Sequence, residues 1–153
     1  LLVAIFTSLS LFFCVASFLS VLFHFLRVVA DLRISYKIRG AIFDVYNALG
    51  PGLLESIYQE ALAYQLRKDG LDVKEQVPVP VYYDGQKLSD NLRLDMLVED
   101  KVVMELKSVT ELKPVHYKQL KSYIVLAHKK LGLLVNFTTD NIASDIKRVA
   151  NGL

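Results

Sequence analysis

Hydrophobic and polar residues alternate most regularly in the middle of the chain, between Asn91 and Val109. Two apolar runs, Leu92 to Val98 and Val102 to Leu106, flank the polar triplet Glu99-Asp100-Lys101. Apolar strand patterns joined by a short polar stretch predict a pair of antiparallel strands, with the triplet as the loop.

The register of this hairpin follows from its apolar residues. One alignment gathers six of them on one face, as the pairs Leu94 with Leu106, Met96 with Met104 and Val98 with Val102. A slip by one residue would mix the two faces, and burial opposes that strongly. The favoured register places Asp95 directly opposite Glu105 on the other face, with Lys107 two residues further along. Opposed side chains have Cβ atoms roughly 5 Å apart, and two carboxylates that close repel each other unless a cation or a proton lies between them.

Two helices are predicted before the hairpin. Apolar residues recur every three or four positions from Ile34 to Leu49, and Gly50-Pro51 ends that helix. A second helix is predicted from Leu53 to Lys68. Its first turn contains Glu55, and a carboxylate there interacts favourably with the helix dipole. Because the dipole is a sufficient reason for this glutamate, the residue by itself does not indicate a site.

A long strand is predicted between the second helix and the hairpin. The chain alternates apolar and polar residues from Leu71 to Tyr83, and Asp84-Gly85 predicts a tight turn after it. Pro78 and Pro80 cannot donate hydrogen bonds to a neighbouring strand. This strand is therefore expected at the edge of the sheet or bulged in its middle.

Three further elements are predicted after the hairpin: a helix from Pro114 to Lys129, a strand from Leu131 to Phe137 that is buried on both faces, and a helix from Asn141 to Ala150. On the first of them, His116, Gln119 and Tyr123 share one side. The expected architecture is a mixed α/β fold of the α+β type. Three antiparallel strands and one further buried strand form a mixed sheet flanked by helices.

Charge is distributed unevenly along the 153 residues. Residues 1–30 contain no acidic residue and one basic residue, Arg27, whereas residues 31–153 contain 17 Lys and Arg and 16 Asp and Glu, a formal charge of +1. Such a domain has no overall positive field to attract nucleic acid, so any contact requires a local patch. A candidate for such a basic patch surrounds one helix and consists of Lys113, Lys118, Lys121, Lys129 and Lys130. A solvated helical face explains them at least equally well.

The hydrophobic segment at residues 1–30 has three open interpretations. The uncharged run from Leu1 to Leu26 is long enough to span a bilayer, and Arg27 and Arg33 beyond it would place the following domain in the cytoplasm. A secretory signal is the second interpretation, although it lacks a basic start and its apolar run is unusually long. The third is translated sequence upstream of the true start. The predicted division is a leader of residues 1–30 and a domain of residues 31–153.

The polar residues of the hairpin resemble the core of the PD-(D/E)XK nucleases, in which Asp is followed about ten residues later by Glu-x-Lys on the adjacent strand. Asp95, Glu105 and Lys107 occupy those three places. Gly52-Leu-Leu-Glu55-Ser-Ile-Tyr58 is similar to the signature of the GxxExxY proteins, a branch of this superfamily. The resemblance covers roughly Ile34 to Leu153 and also includes Gly50-Pro51-Gly52, Pro114-x-His116-x-x-Gln119 and Gly132-Leu-Leu-Val-Asn136-Phe137.

The resemblance implies a Mg²⁺-dependent nuclease, with Mn²⁺ as a substitute metal, that hydrolyses DNA or RNA. Mg²⁺ prefers oxygen ligands and retains several waters, so the carboxylates of Asp95 and Glu105 are sufficient to hold it. Lys107 would orient the attacking water or stabilise the transition state. Glu55 is expected as a third acidic residue near the metal, and Gln119 as an accessory polar residue.

Other functional classes stay open. A noncatalytic interaction module fits the near-neutral charge, because fold does not determine function, and a membrane-tethered protein follows if the leader is a genuine anchor. A surface ion cluster of Asp95, Glu105 and Lys107 would explain the trio without catalysis. The chain also has Tyr46 where many members of the family carry a His. A His could take up and release a proton near neutral pH, which a Tyr ordinarily does not, so a mechanism that uses this position does not transfer, whereas the predicted metal site is unaffected.

Overall fold

A computed structural model describes residues 2–89 and 91–152 of the chain, without the side chains of residues 2–19, 24 and 26–30. The chain divides into two compact units, Leu1–Tyr36 and Lys37–Leu153. The three interpretations of residues 1–30 concern a segment whose side chains lie mostly outside the described part of the structure. Among the residues that are described, no helix combines the length and the apolar character needed to cross a membrane.

The described chain contains three α-helices, seven β-strands and a short 3-10 helix. The helices are α1 (Leu2–Leu49), α2 (Glu55–Lys68) and α3 (Pro114–Leu126), and the 3-10 helix is Ile142–Asp145. The strands are β1 (Val73–Pro78), β2 (Val81–Tyr83), β3 (Gln86–Ser89), β4 (Arg93–Val98), β5 (Val102–Lys107), β6 (Leu131–Asn136) and β7 (Ile146–Ala150).

Five strands form one sheet in the order β1-β4-β5-β6-β7, and β2 and β3 pair with each other as a separate ribbon. Within the sheet, β1, β4 and β5 are antiparallel neighbours, β6 runs parallel to β5, and β7 runs antiparallel to β6. The predicted mixed sheet, with three antiparallel strands and a further buried strand, is confirmed.

The hairpin register predicted from the apolar residues is confirmed as well. Met96 pairs with Met104 and Val98 with Val102, on either side of the predicted loop. Leu94 and Leu106, the next apolar residues along the same face, are completely buried. A slip by one residue would have mixed this row with the residues of the other face, which burial opposes.

The helices cover both faces of the sheet. On one face α3 packs against β6 at Gly132, where an added Cβ atom would lie 2.8 Å from Leu120 Cδ1 and 2.9 Å from Ile124 Cγ2. Residues five positions apart on a strand face opposite sides. Phe137, which follows β6, accordingly meets α2 on the other face, where its ring stacks on that of Tyr58 at a centroid distance of 4.3 Å.

The single strand predicted from Leu71 to Tyr83 is wrong, because the chain there forms β1 and β2 in two different sheets. Pro78 and Pro80 interrupt the ladder between them. Of the two expected alternatives, the edge position is confirmed: β1 lies at the sheet edge and keeps one register with β4 on both sides of Gln76, whose φ is +50°.

The helix predicted from Asn141 to Ala150 is also wrong. After the 3-10 helix the chain forms β7, in which Ile146 pairs with Val135 and Val149 pairs with Gly132. The spacing of the apolar residues fits either structure in so short a segment. The open edge of β6 and the β-branched side chains of Ile146 and Val149 favour the strand.

Candidate functional site

The predicted site residues meet at one end of the sheet, where β4 begins and β5 ends. The antiparallel pairing of Met96 with Met104 brings the start of β4 beside the end of β5, and the Asp95 carboxylate accepts a hydrogen bond from the N–H of Leu106, the residue after Glu105. Glu105 and Lys107 are two residues apart on β5 and therefore share a face. The hairpin thus delivers two carboxylates and one ammonium group to the same place.

Glu105 is the most buried of these groups, with 2% of its surface exposed. Its Oε1 accepts a hydrogen bond from Lys107 Nζ at 2.7 Å, whereas its Oε2 is buried and has no hydrogen-bond partner among the described residues. Burial, followed by the negative charge of Asp95, raises the pKa of Glu105 to about 7, although Lys107 opposes the shift. This carboxylate therefore lacks a full set of partners inside the folded domain.

Lys107 lies among the acidic groups with 13% of its side chain exposed. Its Nζ also donates to the carbonyl oxygen of Leu106 at 2.8 Å and lies 3.8 Å from Oε1 of Glu55. Burial alone would lower the pKa of Lys107, but the hydrogen bond and the charge of Glu105, followed by the charges of Glu55 and Asp95, raise it. Since Glu105 and Lys107 are both largely buried, the trio is not an exposed ion cluster of the kind that forms on protein surfaces.

Asp95 is fixed by the backbone of the neighbouring strand. Its Oδ2 accepts a hydrogen bond from the N–H of Leu106 at 2.9 Å. Partial burial raises the pKa of Asp95, while that hydrogen bond and the charge of Lys107 act in the opposite direction. The carboxylate therefore keeps one fixed orientation beside Glu105.

The turn before α2 positions Glu55, the first residue of that helix. The hydroxyl group of Tyr58 donates to the carbonyl oxygen of Gly50 at 2.6 Å and accepts from the N–H of Leu53 at 3.1 Å. Gly52 has a φ of +100°, which a side chain would disfavour. Gly52 thus permits the turn, Tyr58 holds it, and Glu55 at its end reaches Lys107.

Ser108 connects this turn to the sheet. Its Oγ donates to the carbonyl oxygen of Leu53 at 2.6 Å and lies 2.9 Å from the hydroxyl oxygen of Thr138. Burial raises the pKa of Glu55, against the charge of Lys107 and a hydrogen bond from the Ser108 backbone. Nothing in the sequence distinguished Ser108 from other serines.

Asn136 is a second supporting residue to which sequence reasoning assigned no role. It is almost completely buried beside Lys107, its ladder partner. Its amide donates to the carbonyl oxygen of Val109 at 2.8 Å and accepts from the N–H of the same residue at 3.0 Å. This pair of bonds fixes the chain as it leaves β5. A polar Asn within an otherwise apolar strand was the available signal.

The residues predicted on α3 are tied to their own helix. Gln119 donates to the hydroxyl group of Tyr123 at 2.8 Å, and none of the hydrogen bonds between described residues joins it to the carboxylates. His116 accepts a hydrogen bond from the N–H of Lys113 at 3.1 Å and so caps the start of the helix. The charge of His116 nevertheless lowers the pKa of Glu55, so His116 lies near the site. Among the described residues, Gln119 is connected to Tyr123 and not to the carboxylates.

Two further sequence observations have structural explanations. Tyr46, at the position where a His was expected, donates from its hydroxyl group to the carbonyl oxygen of Thr139 at 2.5 Å. Of the predicted basic patch, Lys121 donates to the carbonyl oxygen of Ala150 at 2.6 Å, and Lys129 pairs with Asp100 at 2.9 Å. Two of the five lysines therefore stabilise the fold, which reduces the patch that nucleic acid could contact.

The unpaired oxygen of Glu105 tests whether the site suits a metal ion. A buried carboxylate oxygen without a donor is an available ligand for a cation, and Asp95 beside it offers a second carboxylate. Among the described residues, no three His, Cys, Asp or Glu side chains lie close enough together to hold a metal ion. The chemistry of the donor set therefore fits an ion held by Asp95 and Glu105 with water completing its coordination, and Glu55 stands outside that pair.

Comparison with known proteins identifies a family. A model of the PD-(D/E)XK nuclease superfamily matches residues 32–149. No curated protein matches the chain significantly. The search of solved structures likewise finds no significant match. The matched region contains every residue of the site described above.

Proposed function

Because the chain belongs to the PD-(D/E)XK nuclease superfamily, we propose that it hydrolyses phosphodiester bonds of DNA or RNA with the help of Mg²⁺, for which Mn²⁺ can substitute. The observation that carries this proposal is the buried Oε2 atom of Glu105, to which no residue in the described part of the chain donates a hydrogen bond. Leaving a buried polar atom unpaired costs about 1–3 kcal/mol, and more when the group is charged. A divalent ion between Glu105 and Asp95 would remove this cost.

Each residue of the site has a distinct role in the proposal. Asp95 and Glu105 would hold the ion, whose chemistry would be to activate a water and to neutralise charge on the phosphate. Lys107 remains protonated and directs its ammonium group to the negative charge that develops in the transition state. Glu55 lies 3.8 Å from Lys107 Nζ and orients it from the side of α2. Gln119 keeps an accessory role through Tyr123. The likeness of Gly52, Glu55 and Tyr58 to the GxxExxY signature stays a prediction.

Thermal melting with and without Mn²⁺ tests the metal site. A ligand that binds the folded chain stabilises it by RT ln(1 + [L]/Kd), about 2.7 kcal/mol at a hundredfold excess over Kd. We expect Mn²⁺ to raise the melting temperature of the wild type and to have no effect on Asp95→Asn or Glu105→Gln. Glu60→Gln, which changes an exposed glutamate of α2, should respond like the wild type.

Cleavage of mixed DNA and RNA substrates by the same proteins tests the reaction. Lys107→Ala should retain the Mn²⁺ shift and lose cleavage, since it keeps both carboxylates. A metal shift that depends on Asp95 and Glu105, with no cleavage of any substrate, would favour the noncatalytic interaction module. Melting curves that metal leaves unchanged in every variant would contradict the metal site itself.

A further inference from the structure

The β2–β3 ribbon presents aromatic side chains that the fold does not use. Tyr82 and Tyr83 are 59% and 75% exposed, and Leu88 on the facing strand is 59% exposed. The two strands pair with each other and are separate from the five-stranded sheet. An isolated two-stranded hairpin is marginally stable in water. Because these three side chains are mostly exposed, they contribute little buried apolar area to the ribbon.

The ribbon is nevertheless held in a defined position. Val79, which precedes β2, is 4% exposed and belongs to the core cluster that includes Leu120 and Ile124 of α3. Its N–H donates to the carbonyl oxygen of Leu92 at 2.8 Å. At the tip, Asp84 and Gly85 both have positive φ, 49° and 75°, as a tight hairpin turn requires. The ribbon is thus attached to the core at its base and closed by a tight turn at its tip.

The ribbon leaves the sheet at the end that carries the site. It continues from the last residue of β1, Pro78, which is paired with Arg93 at the start of β4. Asp95 follows Arg93 by two residues on the same strand. Asp95 is the sixth residue after Ser89, the end of β3, and an extended chain of six residues reaches at most about 21 Å. A nucleic acid strand bound at the carboxylates therefore lies within a few nucleotides of the ribbon.

The charge of the domain restricts what kind of nucleic acid contact is effective. Residues 31–153 have a formal charge of only +1, so attraction to phosphates contributes little. Contacts with bases are the alternative, and exposed aromatic rings provide them by stacking on any base. Bases in a duplex are already stacked and paired, whereas those of a single strand are accessible. Arg93 at the base of the ribbon is exposed and adds one positive charge.

We propose that the β2–β3 ribbon binds unpaired bases of a single-stranded nucleic acid through Tyr82 and Tyr83 and presents that strand to the Asp95–Glu105 site. This inference rests on the proposed function and specifies its substrate class. Tyr82 and Tyr83 are adjacent on one strand and so project to opposite sides of the ribbon. Each ring has a free face for a base, and the strand passes along the ribbon rather than across the sheet.

Binding of a fluorescein-labelled mixed-sequence oligonucleotide to the full chain, followed by anisotropy in the presence of a chelator, tests the ribbon without cleavage. We expect Tyr82→Ala and Tyr83→Ala each to weaken binding of the single strand on the order of tenfold. Tyr82→Phe and Tyr83→Phe should bind like the wild type because the ring remains. Tyr64→Ala is the matched control, since Tyr64 is 69% exposed on α2, and it should have no effect.

Several outcomes would overturn the proposal that the ribbon binds bases. They are unchanged binding by the alanine variants, equal losses in the alanine and phenylalanine variants, and equal losses for a duplex of the same sequence. A lower molecular mass of Tyr82→Ala or Tyr83→Ala in light scattering would identify a contact between two copies of the chain instead.

Cleavage measured with Mn²⁺ separates this inference from the proposed function. Cleavage of a single strand that is weakened by Tyr82→Ala or Tyr83→Ala supports both. Cleavage that is indifferent to these tyrosines overturns the ribbon alone. Tyrosine-dependent binding without any cleavage overturns the proposed hydrolysis and supports the ribbon.

Discussion

Lys107 and Glu105 form a buried ion pair in which only one carboxylate oxygen is satisfied. Nζ of Lys107 lies 2.7 Å from Oε1 of Glu105, and Oε2 of the same carboxylate is buried without a partner. The second negative charge nearby, on Asp95, raises the pKa of Glu105 further. The metal-free domain therefore carries an electrostatic cost at this end of the sheet, and its stability should depend on pH in a specific way.

Rising pH should destabilise the metal-free protein through Glu105. Its pKa rises from the ordinary 4.5 to about 7 on folding, so the folded chain holds this proton more tightly than the unfolded chain does. The resulting contribution to the free energy of unfolding is complete below about pH 4.5 and is lost as the pH rises through about 7. A shift of this size corresponds to about 3 kcal/mol. Urea denaturation between pH 5 and pH 8, with a chelator present, measures it.

Glu105→Gln is the variant that isolates this effect. Because an amide does not titrate, most of the slope between pH 5 and pH 8 should disappear, leaving the smaller contributions of Asp95 and Glu55, whose pKa values are also raised. Glu60→Gln should keep the slope of the wild type. An unchanged slope in Glu105→Gln would show that other groups control the pH dependence.

Removal of the ammonium group should destabilise the metal-free protein more at pH 8 than at pH 5. In Lys107→Ala the ionised Glu105 loses its hydrogen bond, and a buried charge without its partner costs about 3–5 kcal/mol unless it becomes protonated. At pH 5 Glu105 is already protonated in the folded chain, so the loss should be smaller. The measurement is the free energy of unfolding of Lys107→Ala at the two pH values.

A double variant shows whether the two residues act on each other. In a Glu105→Gln background, Lys107→Ala should cost less than it does alone, because the buried charge of Glu105 is no longer there to be left without its partner. Equal costs in the two backgrounds would mean that Lys107 stabilises the fold by packing rather than through Glu105.

Loss of the Tyr58 hydroxyl group should affect both stability and the site. Tyr58→Phe keeps the stacking on Phe137 and removes the two hydrogen bonds that hold the turn before Glu55. We expect a loss of about 1–3 kcal/mol in the free energy of unfolding and weaker cleavage by the remaining folded protein. Thermal melting and a cleavage assay below the melting transition measure the two effects.

Tyr46→Phe is the matched control for this prediction. It also removes one buried hydroxyl contact, to the carbonyl oxygen of Thr139, but that contact does not involve the turn before α2. Its cleavage rate should equal that of the wild type at a temperature where both are folded. Equal loss of cleavage in the two variants would mean that Tyr58 has no particular relation to Glu55.

The sequence predicted the hairpin and its carboxylates because one register gathers six apolar residues of the two strands on one face and a slip would mix the faces. It could not predict β7, since that strand forms only because the edge of β6 is open, a long-range condition that short apolar spacing does not encode. The contacts of Ser108 with Leu53 and Thr138 were equally inaccessible. These contacts join residues that are far apart in the chain, and Ser and Thr are common residues in loops. Gln119 was predicted from a resemblance, and its hydrogen bond to Tyr123 was not foreseen.

Residues 1–30 should be dispensable for folding of the domain. The family match begins at residue 32, and among the described side chains of α1 the buried core residues begin at Ile38. A chain from Asp31 to Leu153 should therefore be soluble and melt cooperatively, which circular dichroism and size-exclusion chromatography check. An insoluble or noncooperative product would show that residues before Asp31 are needed for the folded core.

Gly132→Ala should destabilise the domain because α3 lies directly on β6 at this residue. An added Cβ would be 2.8 Å from Leu120 Cδ1 and 2.9 Å from Leu120 Cγ, closer than carbon atoms pack, so the helix or its side chains must move. Overpacking of this kind costs about 1–3 kcal/mol, measured by urea denaturation. Gly40→Ala is the opposite control: it has open space around it in α1 and should stabilise the protein by up to about 1 kcal/mol. A Gly132→Ala variant as stable as the wild type would contradict this close packing of α3 on β6, which also positions Gln119 and Tyr123 beside the sheet.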